Sequence, residues 1–265
     1  DPDSPIETLT TDESGQTPAI TLEAPPRELS LSPEITEQPY SEYNIQVTAE
    51  GYETVLVSGS EILAGAYSLQ PIRMNPLDVT EEEEKVVVIP PHTLFGEYPP
   101  KIPEEEIKPM NETGEIVLSR VVIPEYVIVH DGDPEDPTAR NYWVRYKDYI
   151  KNVASSEIYP TWSESAIYAN ILVIQSFTLN RVFTEWYRGK GYDFTITSST
   201  AYDQKWIYGR NVFEEIDYLV DSIFTNYLSR PGVRQPIFTS YCDGNRTTCR
   251  GLSQWGSQSL AEQGF

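Results

Sequence analysis

Tyr149-Ile-Lys-Asn-Val-Ala-Ser-Ser-Glu157-Ile-Tyr-Pro-Thr-Trp162 decides how this chain reads, because it runs into a helical pattern that ends near Tyr187. Thr161-Trp-Ser-Glu164 has capping-box spacing: Thr161 can accept from first-turn N–H groups while Glu164 reaches back. The helix body is apolar almost all round, through Ile167, Ile171, Leu172, Val173, Ile174, Phe177, Leu179, Val182, Phe183 and Trp186. That pattern belongs to a buried central helix, not a surface one. Glu157 stands just before this helix start, among Tyr159 and Trp162. A carboxylate at such a mouth is partly desolvated, which raises its pKa and lets it keep a proton near neutrality. The ordinary use of a Glu is as a solvated loop acid or a partner for Lys or Arg, so residue type alone does not make Glu157 catalytic.

With 265 residues and 39% hydrophobic content, including 18 Tyr and 5 Trp, the chain is long and apolar enough to bury a core. The 21 Pro against 15 Gly suggest stiff connections and many strand ends. Its formal charge of −22 is uneven: residues 1–120 hold 24 acids and 6 bases, whereas residues 121–265 hold 17 and 13. A phosphate backbone or an anionic membrane would be repelled by this balance, and a neutral glycan would not. No apolar run reaches the length of a membrane span, and no signal-peptide pattern opens the chain. The abrupt start at Asp1-Pro2 and stop at Gly264-Phe265 suggest a fragment or a processed form.

The expected architecture is α+β in three parts. Residues 1–75 read as a small β-sandwich-like module, 76–115 as an acidic Pro-rich linker, and 116–265 as an α+β domain. In the first part, Gly15–Glu23 alternates at its end, and Tyr43, Ile45, Val47 and Ala49 share one face of a strand. Glu50-Gly51 turns into a strand from Tyr52 to Val57; Ser58-Gly-Ser interrupts, and Glu61-Ile-Leu and Tyr67–Met74 follow. The linker carries Glu81–Glu84, Glu104–Glu106 and prolines at 90, 91, 99, 100, 103 and 109, so charge repulsion and Pro should extend it along the surface. In the third part, strands are expected at Ile116–Pro124, Tyr126–His130, Asn141–Tyr146, Phe194–Thr197 and Ile237–Tyr241. The acids of Asp131–Pro137 read as a solvated turn-rich loop, with calcium binding as the alternative. Asn211 is placed to cap a second helix, and Ser257–Gln263 reads as a short closing one.

Cys242 and Cys249 flank the tight-turn sequence Asp243-Gly244-Asn245. A short-loop disulfide, two free thiols and half of a metal site all remain open, with His92 and His130 distant in sequence.

Two resemblances add to this reading. Ala49-Glu-Gly-Tyr-Glu-Thr-Val55 and the strands after it resemble carboxypeptidase-regulatory or prealbumin-like modules, in which nothing looks catalytic. From about Val127 onward, four pieces resemble the stage II sporulation protein D (SpoIID/LytB) family of cell-wall enzymes. They are Tyr149–Glu157 with Trp162, Glu164 and Ala166; Tyr202-Asp-Gln-Lys-Trp-Ile-Tyr-Gly209; Phe238-Thr-Ser-Tyr-Cys-Asp-Gly244; and Gly251-Leu-Ser-Gln-Trp-Gly256 with Leu260-Ala261 and Gly264. Across its length the chain looks most like the clostridial spore cortex-lytic (SleC-like) group.

The resemblance implies lytic transglycosylation of peptidoglycan, with the spore cortex as the wall and Glu157 as acid and then base. It implies an extracytoplasmic location in the cell wall or the spore cortex or coat, peptidoglycan strands as partner, and an activating protease as a further one. Tyr208, Asp203, Gln204, Ser253 and Gln254 are candidates for positioning substrate, and Tyr159, Trp162, Trp206 and Trp255 for stacking on sugars. The sequence departs from the family at Gln175, where an Arg is frequent, and at Thr239 and Thr248, where histidines are found. Zinc therefore has an incomplete ligand set, and no cofactor is expected. The alternatives are an N-acetylmuramoyl-L-alanine amidase and a non-catalytic wall-binding or amidase-enhancing protein.

Overall fold

The computed structural model describes residues 4–79, 83–108 and 120–265. Its architecture is mixed α+β, with four α-helices and several small sheets among the described residues. Strand β1 (Ser41–Val47) alternates as expected, with Tyr43, Ile45 and Val47 turned inward and Glu42, Asn44 and Gln46 exposed. It pairs antiparallel with β2 (Thr54–Ile62), which does not break at Ser58-Gly-Ser. Gly59 explains the continuity. The register shifts between Tyr43 and Ile45, and Gly59 takes φ +89° where a Cβ would come within 2.6 Å of the Ile89 carbonyl oxygen. Only glycine meets both demands, so an apparent interruption is a bulge inside one strand.

The expected two-layer sandwich is replaced by one three-stranded sheet in the order β1-β2-β4. Strand β4 (Glu84–Val88) comes from the segment expected to be linker and runs parallel to β2. Its Val87 joins Val55, Val57, Ile89 and Ile207 in a small apolar cluster. Several other strand expectations shrink as well. Gly15–Glu23 forms no strand, and of Tyr67–Met74 only β3 (Ser68–Leu69) is one; it pairs with β8 (Val212–Phe213). Residues 120–124 of the expected Ile116–Pro124 strand are not in a strand, and 116–119 lie outside the described residues, as do Glu81, Glu82 and Pro109.

Strand β5 (Tyr126–His130) is the middle of a second sheet. It lies antiparallel to β6 (Asn141–Arg145) and parallel to β7 (Ile196–Thr197). Between β6 and β7 lie two helices, α1 (Tyr146–Glu157) and α2 (Glu164–Phe183). Helix α2 is the buried centre: Ile171, Phe177 and Leu179 are 0% exposed. Several of its polar side chains reach partners on other elements, as when Gln175 Nε2 donates to the carbonyls of Ile223 and Asn226. Tyr40, Leu63 and Leu94 belong to the same core as α1 and α2, so parts of the N-terminal region pack into the central core.

Two expected helix caps are used elsewhere. Helix α2 begins after Ser163, and the Thr161 hydroxyl instead pairs with that of Ser30 at 2.7 Å. Helix α3 (Glu214–Ile223) follows β8 directly, while Asn211 bonds the Glu61 backbone and the Ser68 hydroxyl. Strand β9 (Tyr241–Cys242) keeps only the end of the expected Ile237–Tyr241 strand and runs parallel to β10 (Leu252–Ser253). Helix α4 (Gln254–Glu262) starts three residues earlier than expected because the Ser253 hydroxyl caps it, accepting from Gly256 N–H at 2.9 Å.

Candidate active site

Glu157 is the last residue of α1, not a loop residue ahead of a helix. The sequence hides α1 because Asn152, Ser155 and Ser156 look like breakers. In the fold all three are buried with partners: Asn152 exchanges two bonds with the Ile207 backbone, and Ser156 bonds back to Asn152 O. The exit from α1 is extended at Ile158, which turns the chain toward the start of α2.

The Glu157 residue is 5% exposed, and both carboxylate oxygens accept hydrogen bonds. Lys205 backbone N–H donates to Oε1 at 2.7 Å, and the Tyr241 hydroxyl donates to Oε2 at 2.6 Å. Burial pushes the Glu157 pKa up from 4.5; the two hydrogen bonds and the charges of Lys101 and Lys205 pull against it. Burial likewise raises the Tyr241 phenol well above its usual range, with the Glu157 charge adding to the effect. The Glu157 main-chain carbonyl accepts from Gln254 at 3.1 Å, which ties the end of α1 to the start of α4.

A strap from residues 97–108 packs beside this carboxylate. Lys101 Nζ donates to Asp203 O at 2.6 Å and sits over the rings of Phe177 and Tyr241. Lys205 Nζ lies 5.1 Å from the Tyr98 ring centre, and Ile102 N–H donates to Ala201 O. Further along, Glu104 binds Arg181 in a bidentate pair at 2.6 and 2.9 Å and also holds Lys108. These contacts set the strap beside a carboxylate that is itself buried. Two of the surface cavities lie elsewhere: one of about 10 Å³ by Glu106, Arg230 and Ile237, and a depression of about 430 Å³ along Glu214, Asp217 and Tyr218.

Most of the expected sugar contacts are interior. Tyr159, Trp162, Trp206 and Trp255 are all buried. Tyr159 stacks on His92 at 4.5 Å, and Trp162 donates to Ser30 O. Tyr159, Trp162 and Trp255 pack against one another and Trp206 against Tyr142 and Tyr208, so none is a sugar platform in this structure. Asp203 is likewise a buried structural acid, taking Arg181 and Tyr187 side chains and both the N–H and hydroxyl of Thr197. Gln204 and Gln254 are also buried. Tyr208 and Ser253 are partly exposed, with Tyr208 accepting from Lys85 at 2.6 Å.

Cys242 and Cys249 form a disulfide, with Cα atoms 6.1 Å apart. Neither sulfur is then a free thiolate ligand, and no group of three or more His, Cys, Asp or Glu with metal-site geometry occurs among the described residues. The enclosed loop is braced by Asp243, which accepts from Asn245, Arg246 and Thr247, while Arg246 reaches the carbonyls of Thr93, Phe95 and Gly96. Gly251 has no room for a side chain: a Cβ would lie 1.5 Å from Ser240 O, which is how β9 and β10 come together.

Sequence reasoning passed over Tyr241, Lys101 and Lys205 as members of the site. Tyr241 and Lys205 lie inside the quoted motifs and carried a signal there, whereas Lys101 sits in the Pro-rich stretch with none. Among the described residues no helix is long and apolar enough to cross a membrane. No family model, no curated protein and no solved structure matches this chain.

Proposed function

We propose that this chain is a peptidoglycan lytic transglycosylase of the SpoIID-like, spore cortex-lytic kind, acting outside the cytoplasm, with Glu157 as its single acid and base. The observation that carries the reading is the buried Glu157 carboxyl, its pKa raised by burial and both oxygens held by directional donors. It stands within a segment that resembles the family's essential one.

In the proposed reaction, protonated Glu157 gives its proton to the glycosidic oxygen between MurNAc and GlcNAc, and the C1–O bond breaks with positive charge building at C1. The 6-hydroxyl of the same MurNAc then attacks C1, and the Glu157 carboxylate takes the hydroxyl proton. A 1,6-anhydro end forms, the carboxyl is reprotonated, and no water is consumed. One carboxyl suffices, in contrast to the paired carboxyls of ordinary glycosidases. Sugar access requires the strap bearing Tyr98 and Lys101 to move aside, and cutting in the acidic segment by a protease is one way to free it.

A second reading, a wall-binding or amidase-enhancing protein without turnover, is favoured by the closed surroundings of Glu157. Digestion of spore cortex peptidoglycan separates these possibilities. Anhydro-muramic ends support the transglycosylase, reducing ends a hydrolase, free stem peptides an amidase, and no products a binder. Glu157→Gln is expected to abolish anhydro ends while preserving folding and wall binding. Full activity in that variant would sink the assignment.

A further inference from the structure

Behind Glu157 lies a chain of buried polar side chains whose direction is fixed at its far end. The Gln204 amide is fully buried, and its Nε2 donates both to the Ile174 carbonyl at 3.1 Å and to the Tyr241 hydroxyl at 3.1 Å. A carbonyl oxygen can only accept, so the contact with Ile174 sets which side of the amide is NH₂. The other side, Oε1, takes the hydroxyls of Thr178 at 2.7 Å and Tyr149 at 3.2 Å. With an amide N–H pointed at its oxygen, Tyr241 turns its own proton the other way, toward Glu157 Oε2.

We propose that Tyr241, held by Gln204, is a positioning residue whose donated hydrogen bond to Glu157 Oε2 governs how readily the carboxyl gives up its working proton. This deepens the function proposed above and rests on it only for the meaning of that proton; the polarity of the Glu157–Tyr241 pair is a property of the fold. Either oxygen keeps a lone pair for its donor while bearing hydrogen, so protonation breaks neither the Lys205 bond nor the Tyr241 bond. A neutral carboxyl is a weaker acceptor for the phenol than a carboxylate is, and the Gln204 amide leaves that hydrogen no other direction. A phenol that donates to a carboxylate stabilises the ionised form. Tyr241 thus offsets part of the burial penalty and keeps Glu157 able both to give up its proton and to take one back.

Several elements supply groups around this pair. Lys101 comes from the strap, Lys205 from the loop after β7, Tyr149 from α1, Thr178 from α2 and Gln254 from α4; Asp203 stands behind Lys101. Both lysines favour the carboxylate and are unchanged in a Tyr241→Phe variant, which retains the ring and its place against Phe177.

The test is a carbon-13 NMR titration of the Glu157 carboxyl, assigned by its absence in Glu157→Gln, in the intact chain and in Tyr241→Phe. Loss of the phenol donor is expected to raise the titration midpoint by about one pH unit, equal to roughly 1.4 kcal/mol. The alkaline limb of glycan cleavage should move up by a like amount, and its plateau rate should fall. Gln204→Leu, which frees the phenol to turn, should raise the midpoint by less than Tyr241→Phe does. A merely structural Tyr241 would lower the melting temperature and leave the midpoint where it was, and that result overturns the inference. If the midpoint moves but the unaltered chain releases no anhydro ends, the coupling stands and the transglycosylase reading fails. A variant too unstable to titrate would be replaced by 3-fluorotyrosine at 241, whose more acidic phenol should lower the midpoint; no movement there is equally fatal.

Discussion

Asp203→Asn tests whether the acid of the Asp203-Gln204 motif serves the substrate or the fold. Asp203 and Arg181 side chains are both 0% exposed and meet at 2.7 Å. The second carboxylate oxygen takes Tyr187 hydroxyl at 2.7 Å, Thr197 N–H at 2.8 Å and Thr197 hydroxyl at 2.7 Å. Asparagine keeps one accepting oxygen and turns an NH₂ toward donors. It also removes the countercharge of a buried guanidinium, whose remaining acid partner is Glu104 of the strap. Breaking one side of a buried pair costs about 3–5 kcal/mol. For a chain of this size each kcal/mol moves the melting temperature by about 2–4 °C, so a fall of roughly 6–20 °C is expected. Thermal unfolding followed by circular dichroism, with urea unfolding as a second measure, reads this directly. A variant that melts within about 3 °C of the parent but binds cortex fragments far more weakly would refute the structural assignment and restore Asp203 to the substrate.

Two further outcomes follow from the same contacts. Burial raises the Glu157 pKa above 4.5, so the folded state holds this proton more firmly than the unfolded state does. That contribution is fully present below the unfolded value and is lost as pH rises through the folded one. Urea midpoints should therefore show Glu157→Gln gaining on the parent as pH climbs from about 4.5 toward neutrality, and parallel pH profiles would contradict a raised pKa. Reducing the Cys242–Cys249 bridge, which spans seven positions, removes about 2–3 kcal/mol of loop-closure stabilisation. The loss should show as a lower urea midpoint in dithiothreitol and be absent from a Cys242→Ser/Cys249→Ser double variant.

The mixed α+β character, the alternation of β1 and the burial of α2 were legible in the sequence, because each leaves a periodic or continuous apolar trace in neighbouring residues. The Gly59 bulge was misread as a break for a related reason: a glycine marks a backbone demand without saying which one. Helix α1 was not legible, because its buried polar residues are satisfied by partners more than fifty positions away, such as Asn152 by Ile207. Distant satisfaction of this kind leaves no local pattern. The aromatics around Glu157 were legible as a cluster, but whether they faced sugar or one another was not.

What the sequence alone determined is therefore the inventory: a carboxylate a few residues before an apolar helix, motifs rich in Tyr, Trp and Gln, and an acidic, proline-stiffened stretch between two structured regions. The tertiary structure decided the roles. It turned the stretch into a strand and a strap beside Glu157, and it sank Asp203 and Gln204 into the interior. It also brought Tyr241, 84 positions away in sequence, to within 2.6 Å of the Glu157 carboxylate. The physical reason is that local pattern records which face of an element is buried, whereas the pKa and proton direction of a carboxyl depend on donors that only chain folding brings together.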